Sequence, residues 1–374
     1  MPLPILSNLF GPKKHTPILA IDLGTDTVKT ALCEVNGEGE VKILGRSEQK
    51  QGLTSMRGQK IADFDAVLET VNLACESAEL NSNIKAKRAT LGTSGLVQSV
   101  GMTVRLKRPE PEKEINQKEL SYLFQKIEEK TIVKAKESLF AAETYAADGL
   151  IGSEATRYAI DGQKTETPLG LTGSILEVSL LHNFCAKADL TTLQSLASSL
   201  GLEIDGINET TTAITQTLLK TNEAGILIDI GGEITEVVIF KNGKIIGNKT
   251  FSLGGRNLSL MLTQKLNSSF EQVEKLKKDL AAGFLDAERA REVREIINEH
   301  FAIWVKGLET ALTEFPEVRP LPASFLVTGG GAALEEVKSV LISHPWNRVL
   351  PFSTFPKIER LKVDPLEALA RITG

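Results

Sequence analysis

Apolar residues in this chain gather in short runs, broken by glycine, aspartate and asparagine. From Ile18 to Val35 the run is interrupted by Asp22, Gly24 and Thr25, which predicts a strand, a tight turn and a second strand. The segment "EVKILGRSEQ", entered after the turn residues "NGEG", predicts a third strand. In "ADFDAVLETVNLACESAEL", Phe64, Val67, Leu68, Val71, Leu73 and Ala74 follow helical spacing. "RATLGTSG" then reads as a short buried strand ending in a small-residue turn. The second half repeats this logic. "AGILIDIGGEITEVVIFKNGKIIGNKTFSL" predicts strand, turn and strand, then an Asn-Gly hairpin and another strand. Helices are predicted in "GGRNLSLMLTQKL", in "SFEQVEKLKKDLAAG" and from Ala287 to Phe315. "ASFLVTGGGAALEEVKSVLIS" reads as strand, triple-glycine turn and helix. Two halves with the same three-strand start point to a duplicated α/β unit.

Between the halves the pattern changes. "VGMTVRLKRPEPEKEINQ" is a strand followed by a charged, proline-punctuated loop. "NQKELSYLFQKIEEKTIVKAKE" predicts a helix, with Asn116 as cap and Glu119 three residues on. "AADGLIGSEATRYAIDGQ" and "TPLGLTGSILEVSLLHNF" alternate as strands do, so roughly Leu96 to Ser179 forms an inserted α+β module. "ADLTTLQSLASSLGL" is a helix closed by Gly201.

Composition narrows the function classes. The 374 residues suffice for two domains or more, and 41% hydrophobic with 24% charged residues is a soluble, globular balance. A net charge of −5 and only 5% aromatics argue against a nucleic-acid partner. Cys33, Cys75 and Cys185 lack metal-site spacing and fit a reducing compartment, and the four histidines form no ligand pattern. No apolar run reaches the length of a membrane span, and "MPLPILSNLFGPKKH" has its charges in the wrong order for a secretory signal.

The chemistry lies in three turns. A nucleotide's phosphates need close backbone N–H groups, a divalent cation held by carboxylates, and a nearby positive charge. "DLGTDTVK" supplies Asp22, Gly24, Thr25 and Lys29; "DIGGEIT" supplies Asp229, Gly231 and Gly232; "TGGGAALEEV" supplies Thr328, Gly329, Gly330 and Gly331. Each alone also reads as a capped hairpin turn. Three in this order, each after a buried strand, resemble the two phosphate motifs and the adenosine motif of the actin, Hsp70 and sugar-kinase superfamily.

That resemblance implies an α/β, actin-like fold: two RNase-H-like domains around a nucleotide cleft, with the two hairpins facing each other across the β- and γ-phosphates. "SMRGQKIADFDAVLETVNLACESAEL", "RYAIDGQKTETPLGLTGSILEVSLLHNF" and "SLGLEIDGI" further resemble the FtsA family of bacterial cell-division proteins, with its own inserted subdomain. The pilus-assembly family PilM is the second choice, and "LFGPKKHTPILAIDLGT" looks like its lead-in. The implied organisation is a leader at 1–16, a first core at 17–95 and 180–222, the inserted subdomain at 96–179, a second core at 223–262 and 323–374, and a further subdomain at 263–322.

By the same resemblance the cofactors are ATP and Mg²⁺. Lys29 contacts phosphate, and Asp22 and Asp229 hold the Mg²⁺ through water. Gly254 and Gly255 line the nucleotide wall, Glu274 and Lys277 touch ribose and adenine, and Gly329 to Gly331 pass beneath the adenine or α-phosphate. Glu209 is the candidate for orienting the attacking water. Two positions depart from the pattern: Glu233 and Ile234 stand where a glycine and a threonine are usual. A glutamate there repels a phosphate unless it turns away, and Thr235, one residue late, falls on the other face of its strand. Any ATPase is therefore slow, and a scaffold that no longer uses nucleotide stays open. The implied partners are a tubulin-like, FtsZ-like division protein and further copies of the chain in protofilaments. The implied place is the cytoplasm, with peripheral contact at the inner face of the membrane. The tail "VDPLEALARITG" reads as an ordinary terminal helix, and "ILSNLFGPKK" is the better anchor candidate. A small-molecule kinase is disfavoured by the lack of an acceptor-binding carboxylate cluster.

Overall fold

The computed structural model describes residues 17–36, 40–80, 82–140 and 149–373. The leader and its anchor candidate lie outside the described residues.

The first half opens with β1 (Ile18–Leu23), β2 (Thr27–Val35) and β3 (Val41–Lys50), then a small pair, β4 (Met56–Arg57) and β5 (Lys60–Ile61). Helix α1 (Phe64–Glu79) follows, its first turn capped by Asp63, which accepts from the Ala66 N–H. Strand β6 (Arg88–Thr93) completes the first run. The insertion holds β7 (Val97–Lys107), α2 (Gln117–Phe140), β8 (Leu150–Ile160), β9 (Gln163–Thr165) and β10 (Ile175–Cys185). Asn116 caps α2 as expected, at 3.0 Å from the Glu119 N–H. The Glu119 carboxylate turns to the buried Arg108 guanidinium instead of completing a capping box. The chain returns through α3 (Lys187–Ser199), β11 (Glu203–Glu209) and α4 (Thr210–Leu218).

The second half runs β12 (Ala224–Ile230), β13 (Thr235–Lys241), β14 (Lys244–Phe251), α5 (Gly255–Leu266), α6 (Phe270–Ala281) and the long α7 (Ala287–Thr313). It ends with β15 (Ser324–Thr328), α8 (Glu335–Ser343), α9 (Trp346–Val349), β16 (Lys357–Arg360) and α10 (Pro365–Thr373). The hairpin between β13 and β14 turns on Asn242 and Gly243, both at positive φ, as the Asn-Gly signal requires.

The duplication is explicit in the sheets. One sheet has the order β11-β6-β1-β2-β3, and the other contains β16-β15-β12-β13-β14. In both, the first three strands are antiparallel and the outer two join in parallel. The second sheet continues past β14 into β7-β10-β8-β9, so the insertion extends it to nine strands. The joint is the pairing of Gly247 with Val100. A Cβ on Gly101 would lie 1.8 Å from the Ile245 carbonyl oxygen, so this approach needs glycine.

Each half has its own core. Val67, Val71, Ala74, Leu91 and Leu193 fill the first; Val293, Ile297, Trp304, Leu308 and Phe325 fill the second; and Leu120, Phe124, Ile127 and Val178 close the insertion. A fourth cluster joins the two sheets: Ala20, Ala31, Leu227, Val238 and Phe240 meet Ile214 of α4 and Leu366 and Leu369 of α10. This moves one domain boundary. Residues 323–374 were assigned to the second core, yet α10 packs on α4, β1 and β2 of the first. Leu366 and Leu369, three residues apart on one apolar face of α10, are both buried in the cluster between the sheets.

Candidate nucleotide site

Strands β1 and β12 each carry an aspartate, Asp22 and Asp229, one residue before their last. In the two hairpins Asp22 lies opposite Lys29, and Asp229 opposite Glu236. On the parallel side their neighbours are Gly92 and Thr328. Carboxyl ends of such strands are where open α/β sheets place ligands. Helix α4 starts between them and contacts both. The Thr210 hydroxyl donates to Asp22 Oδ1 at 2.8 Å, and the Thr211 hydroxyl to Asp229 Oδ2 at 3.3 Å.

The electrostatics suit a cation. Burial pushes the Asp22 carboxyl above its ordinary value, against the pull of Lys29 and the Thr210 hydroxyl. Burial, and then the Asp22 charge, push Asp229 up to about 6. Two buried carboxylates, the charge of Asp22 raising Asp229, with one lysine nearby, form a site that a divalent ion relieves. Among the described residues no three His, Cys, Asp or Glu side chains converge to hold a metal. The pair therefore fits a Mg²⁺ kept in its water shell, the form that this ion prefers.

The glycine turns pack around these carboxylates. Gly329 sits at φ +91°, and a Cβ there would stand 2.1 Å from Asp229 Oδ1, so the third turn can reach the aspartate only as glycine. Gly330 and Gly331 open a 3₁₀ turn ahead of α8. The Gly255 N–H donates to the Gly231 carbonyl at 2.9 Å and the Arg256 N–H to that of Gly232 at 2.6 Å. The start of α5 thus buttresses the second turn. Beside it, Lys277 donates to Ser259 Oγ at 2.7 Å, Glu274 Oε1 at 2.9 Å and the Gly255 carbonyl at 3.4 Å. Burial alone would raise Glu274, but the Ser259 hydroxyl and Lys277 hold it below its ordinary value. Strand pairing, hydrogen bonds and close approaches link Asp22 with Lys29, Asp229 with Thr328 and Gly329, Gly331 with Gly255, Gly231 and Gly232 with Gly254 and Gly255, Gly255 with Lys277 and Glu274, and Gly232 with Thr25.

Glu209 is the exception. Its carboxylate accepts the Thr211 N–H at 2.8 Å and the Thr212 N–H at 2.5 Å, capping α4. It is 1% exposed. Its neighbour is Glu236, itself held by Asn248 at 2.8 Å, and burial raises both acids. Each Glu209 oxygen accepts one of the backbone amides that open α4, and the side chain is closed off from solvent. The lone acid in "GINETTTAITQ" serves as the cap of α4.

The departures in the second turn resolve clearly. Glu233 turns away from the aspartates, accepting from the Gly58 N–H at 2.6 Å and Arg256 Nη1 at 3.0 Å. Ile234 is buried, its side chain reaching Gly95. Thr235 faces the second core, donating to the Leu253 carbonyl at 2.6 Å and accepting from Trp304 Nε1 at 2.8 Å. Sequence reasoning missed Thr210, Ser259 and Arg256. The threonine run after a strand was the available signal for the first; nothing local marked the others.

The comparisons agree with this geometry. Residues 226–344 match the family model described as Cell division protein FtsA. Cell division protein FtsA of Bacillus subtilis (strain 168) is 24% identical over 346 residues, covering 86% of this chain and 75% of its own length. The FtsA proteins of Neisseria meningitidis and Rhizobium meliloti are 23% and 26% identical, over 75% and 74% of this chain and 65% and 62% of their own lengths. The chain thus spans 62% to 75% of these relatives. Among solved structures, the PilM-PilN type IV pilus biogenesis complex aligns with a TM-score of 0.62 at 14% identity, covering 95% of this chain and 90% of that one. MreB 5 of Spiroplasma citri bound to AMPPNP aligns at 0.51 and 11% identity, covering 96% and 95%. The structural likenesses carry the fold and the sequence matches carry the relationship: this chain has an actin-like fold, and its sequence relatives include FtsA cell-division proteins.

Proposed function

We propose that the chain binds a magnesium–adenine nucleotide between its two halves and serves as an actin-like scaffold of cell division. One observation carries the reading: Asp22 and Asp229, one from each half, meet at adjacent hydroxyls of α4. Asp22 and Asp229 would hold the hydrated Mg²⁺, Lys29 would offset phosphate charge, and the Glu274–Lys277 pair would take the base end. The bound cation would neutralise phosphate charge. Glu209, the acid considered for orienting water, caps α4 with both oxygens, which fits a binding role better than rapid turnover. The relatives' printed role, cell division, supports the division part of this reading; contact with a tubulin-like protein, head-to-tail self-association and peripheral membrane contact belong to the proposal itself. Among the described residues no helix is long and apolar enough to cross a membrane. A pilus-assembly role has fold likeness alone behind it.

Calorimetric titration with Mg-ATP and Mg-ADP tests the reading. Saturable binding of at least one nucleotide, lost with EDTA, is expected; no heat from either overturns it. Sedimentation with nucleotide and anionic vesicles, with and without residues 1–14, checks the scaffold role. Pelleting in none of these conditions removes that part.

A further inference from the structure

The two phosphate turns are joined at their tips. Thr25 Oγ1, in the first turn, accepts the Glu233 N–H of the second at 3.2 Å. Between them lies the Arg256 guanidinium, whose side chain is 3% exposed. Its Nη1 donates to Glu233 Oε1 at 3.0 Å and its Nη2 to Asp26 Oδ1 at 3.2 Å. The other Glu233 oxygen accepts the Gly58 N–H at 2.6 Å. Lys50 adds a looser contact, 3.6 Å from Asp26 Oδ2. A Cβ on Gly232 would stand 2.6 Å from Thr25 Oγ1 and 3.1 Å from the Asp26 Cβ, so the tips touch.

A phosphoryl group at this place needs amide donors, a cation and room. Each is already committed. The Glu233 N–H goes to Thr25, the Gly58 N–H to Glu233, and Arg256 divides its two terminal nitrogens between two carboxylates in charge-assisted bonds. Arg256 Nε is buried without a hydrogen-bond partner among the described residues, so the fork is held at the expense of one donor. What the tips offer an incoming anion is Asp26 and Glu233. Deeper in the cleft, at the strand ends, Asp22, Asp229 and Lys29 are not engaged by the fork.

We propose that the Asp26–Arg256–Glu233 clasp occupies the place of a terminal phosphate, so that the site takes a nucleoside diphosphate in preference to a triphosphate. This rests on the nucleotide reading above. The touching tips select by size and the two carboxylates by charge. The clasp also ties Asp26 of the first half to Glu233 and Arg256 of the second, so closure does not wait for a third phosphate.

Calorimetry on the full chain with Mg-ADP and Mg-ATP tests this. Mg-ADP is expected to bind about tenfold or more tightly than Mg-ATP, since like-charge juxtaposition opposes the longer anion. Glu233→Gly removes one carboxylate and frees the Gly58 amide, and should narrow that preference to about threefold or less. Equal or tighter binding of Mg-ATP by the unaltered chain overturns the proposal and leaves the nucleotide reading standing. An unchanged preference in Glu233→Gly also overturns it. Binding of neither nucleotide sinks the nucleotide reading itself. If circular dichroism shows that Glu233→Gly does not fold, Glu233→Gln replaces it under the same criterion.

Discussion

The hairpins β1–β2 and β12–β13 share a backbone plan and differ in charge. Each pairs its aspartate with the residue seven positions on, but that residue is Lys29 in one and Glu236 in the other. The first keeps a cation beside its aspartate. The second buries an acid that faces Glu209 and carries a further glutamate at its tip. A duplicated fold thus fixes where side chains stand while leaving their chemistry free to diverge. In this molecule the first hairpin sets a lysine beside its aspartate, and the second meets the tip of the first through Glu233 and Arg256 of α5.

Three experiments press on that comparison. The largest effect falls on the core that both hairpins share. Leu369 of α10 is fully buried between the sheets, so Leu369→Ala should lower the unfolding free energy by about 2–5 kcal/mol in denaturant titration. Two separate transitions in that titration, with only one shifted, would show the halves to be independent units and break the comparison. Next, Asp22→Asn and Asp229→Asn should each weaken Mg²⁺-dependent nucleotide binding by about 10- to 100-fold, the range seen when groups supporting a metal are removed. A loss confined to one variant would mean that the hairpins do not share the ion.

The smallest effect is on pH. Asp229 titrates near 6 in the fold against an ordinary 3.8, because of burial and the Asp22 charge. The folded chain therefore holds this proton more tightly than the unfolded one. Its stabilising share is complete below about pH 4 and is lost as pH rises through 6. Without ligand, the melting temperature should fall by about 2–4 °C across that window. Mg²⁺ favours the ionised pair, so nucleotide affinity should rise over the same range. Asp229→Asn should flatten the melting profile; an unchanged slope would assign the titration to another group.

Much of this was legible in the sequence. The apolar runs around Asp22 and Asp229, and the glycines at 231–232 and 329–331, are local signals, because buried strands and tight turns are written in neighbouring residues. Contacts between distant segments were not. Glu209 looked like a base since sequence shows which acids are available but not which amides they meet. Arg256 passed unnoticed since its partners lie 230 and 23 residues away. The apolar face of α10 was visible, but not the sheet that it would cover.

The two threonines that open α4 have a mechanical consequence. Successive residues on a helix point about 100° apart, and here that divergence sends one hydroxyl to each half of the molecule. Helix α4 packs on β11 and α10 and also on β12, β13 and β14, so it bridges the two halves. Any change in the angle between them must act on the 2.8 Å Thr210–Asp22 contact, the 3.3 Å Thr211–Asp229 contact, or both. The helix therefore couples hinge angle to the surroundings of both carboxylates at once.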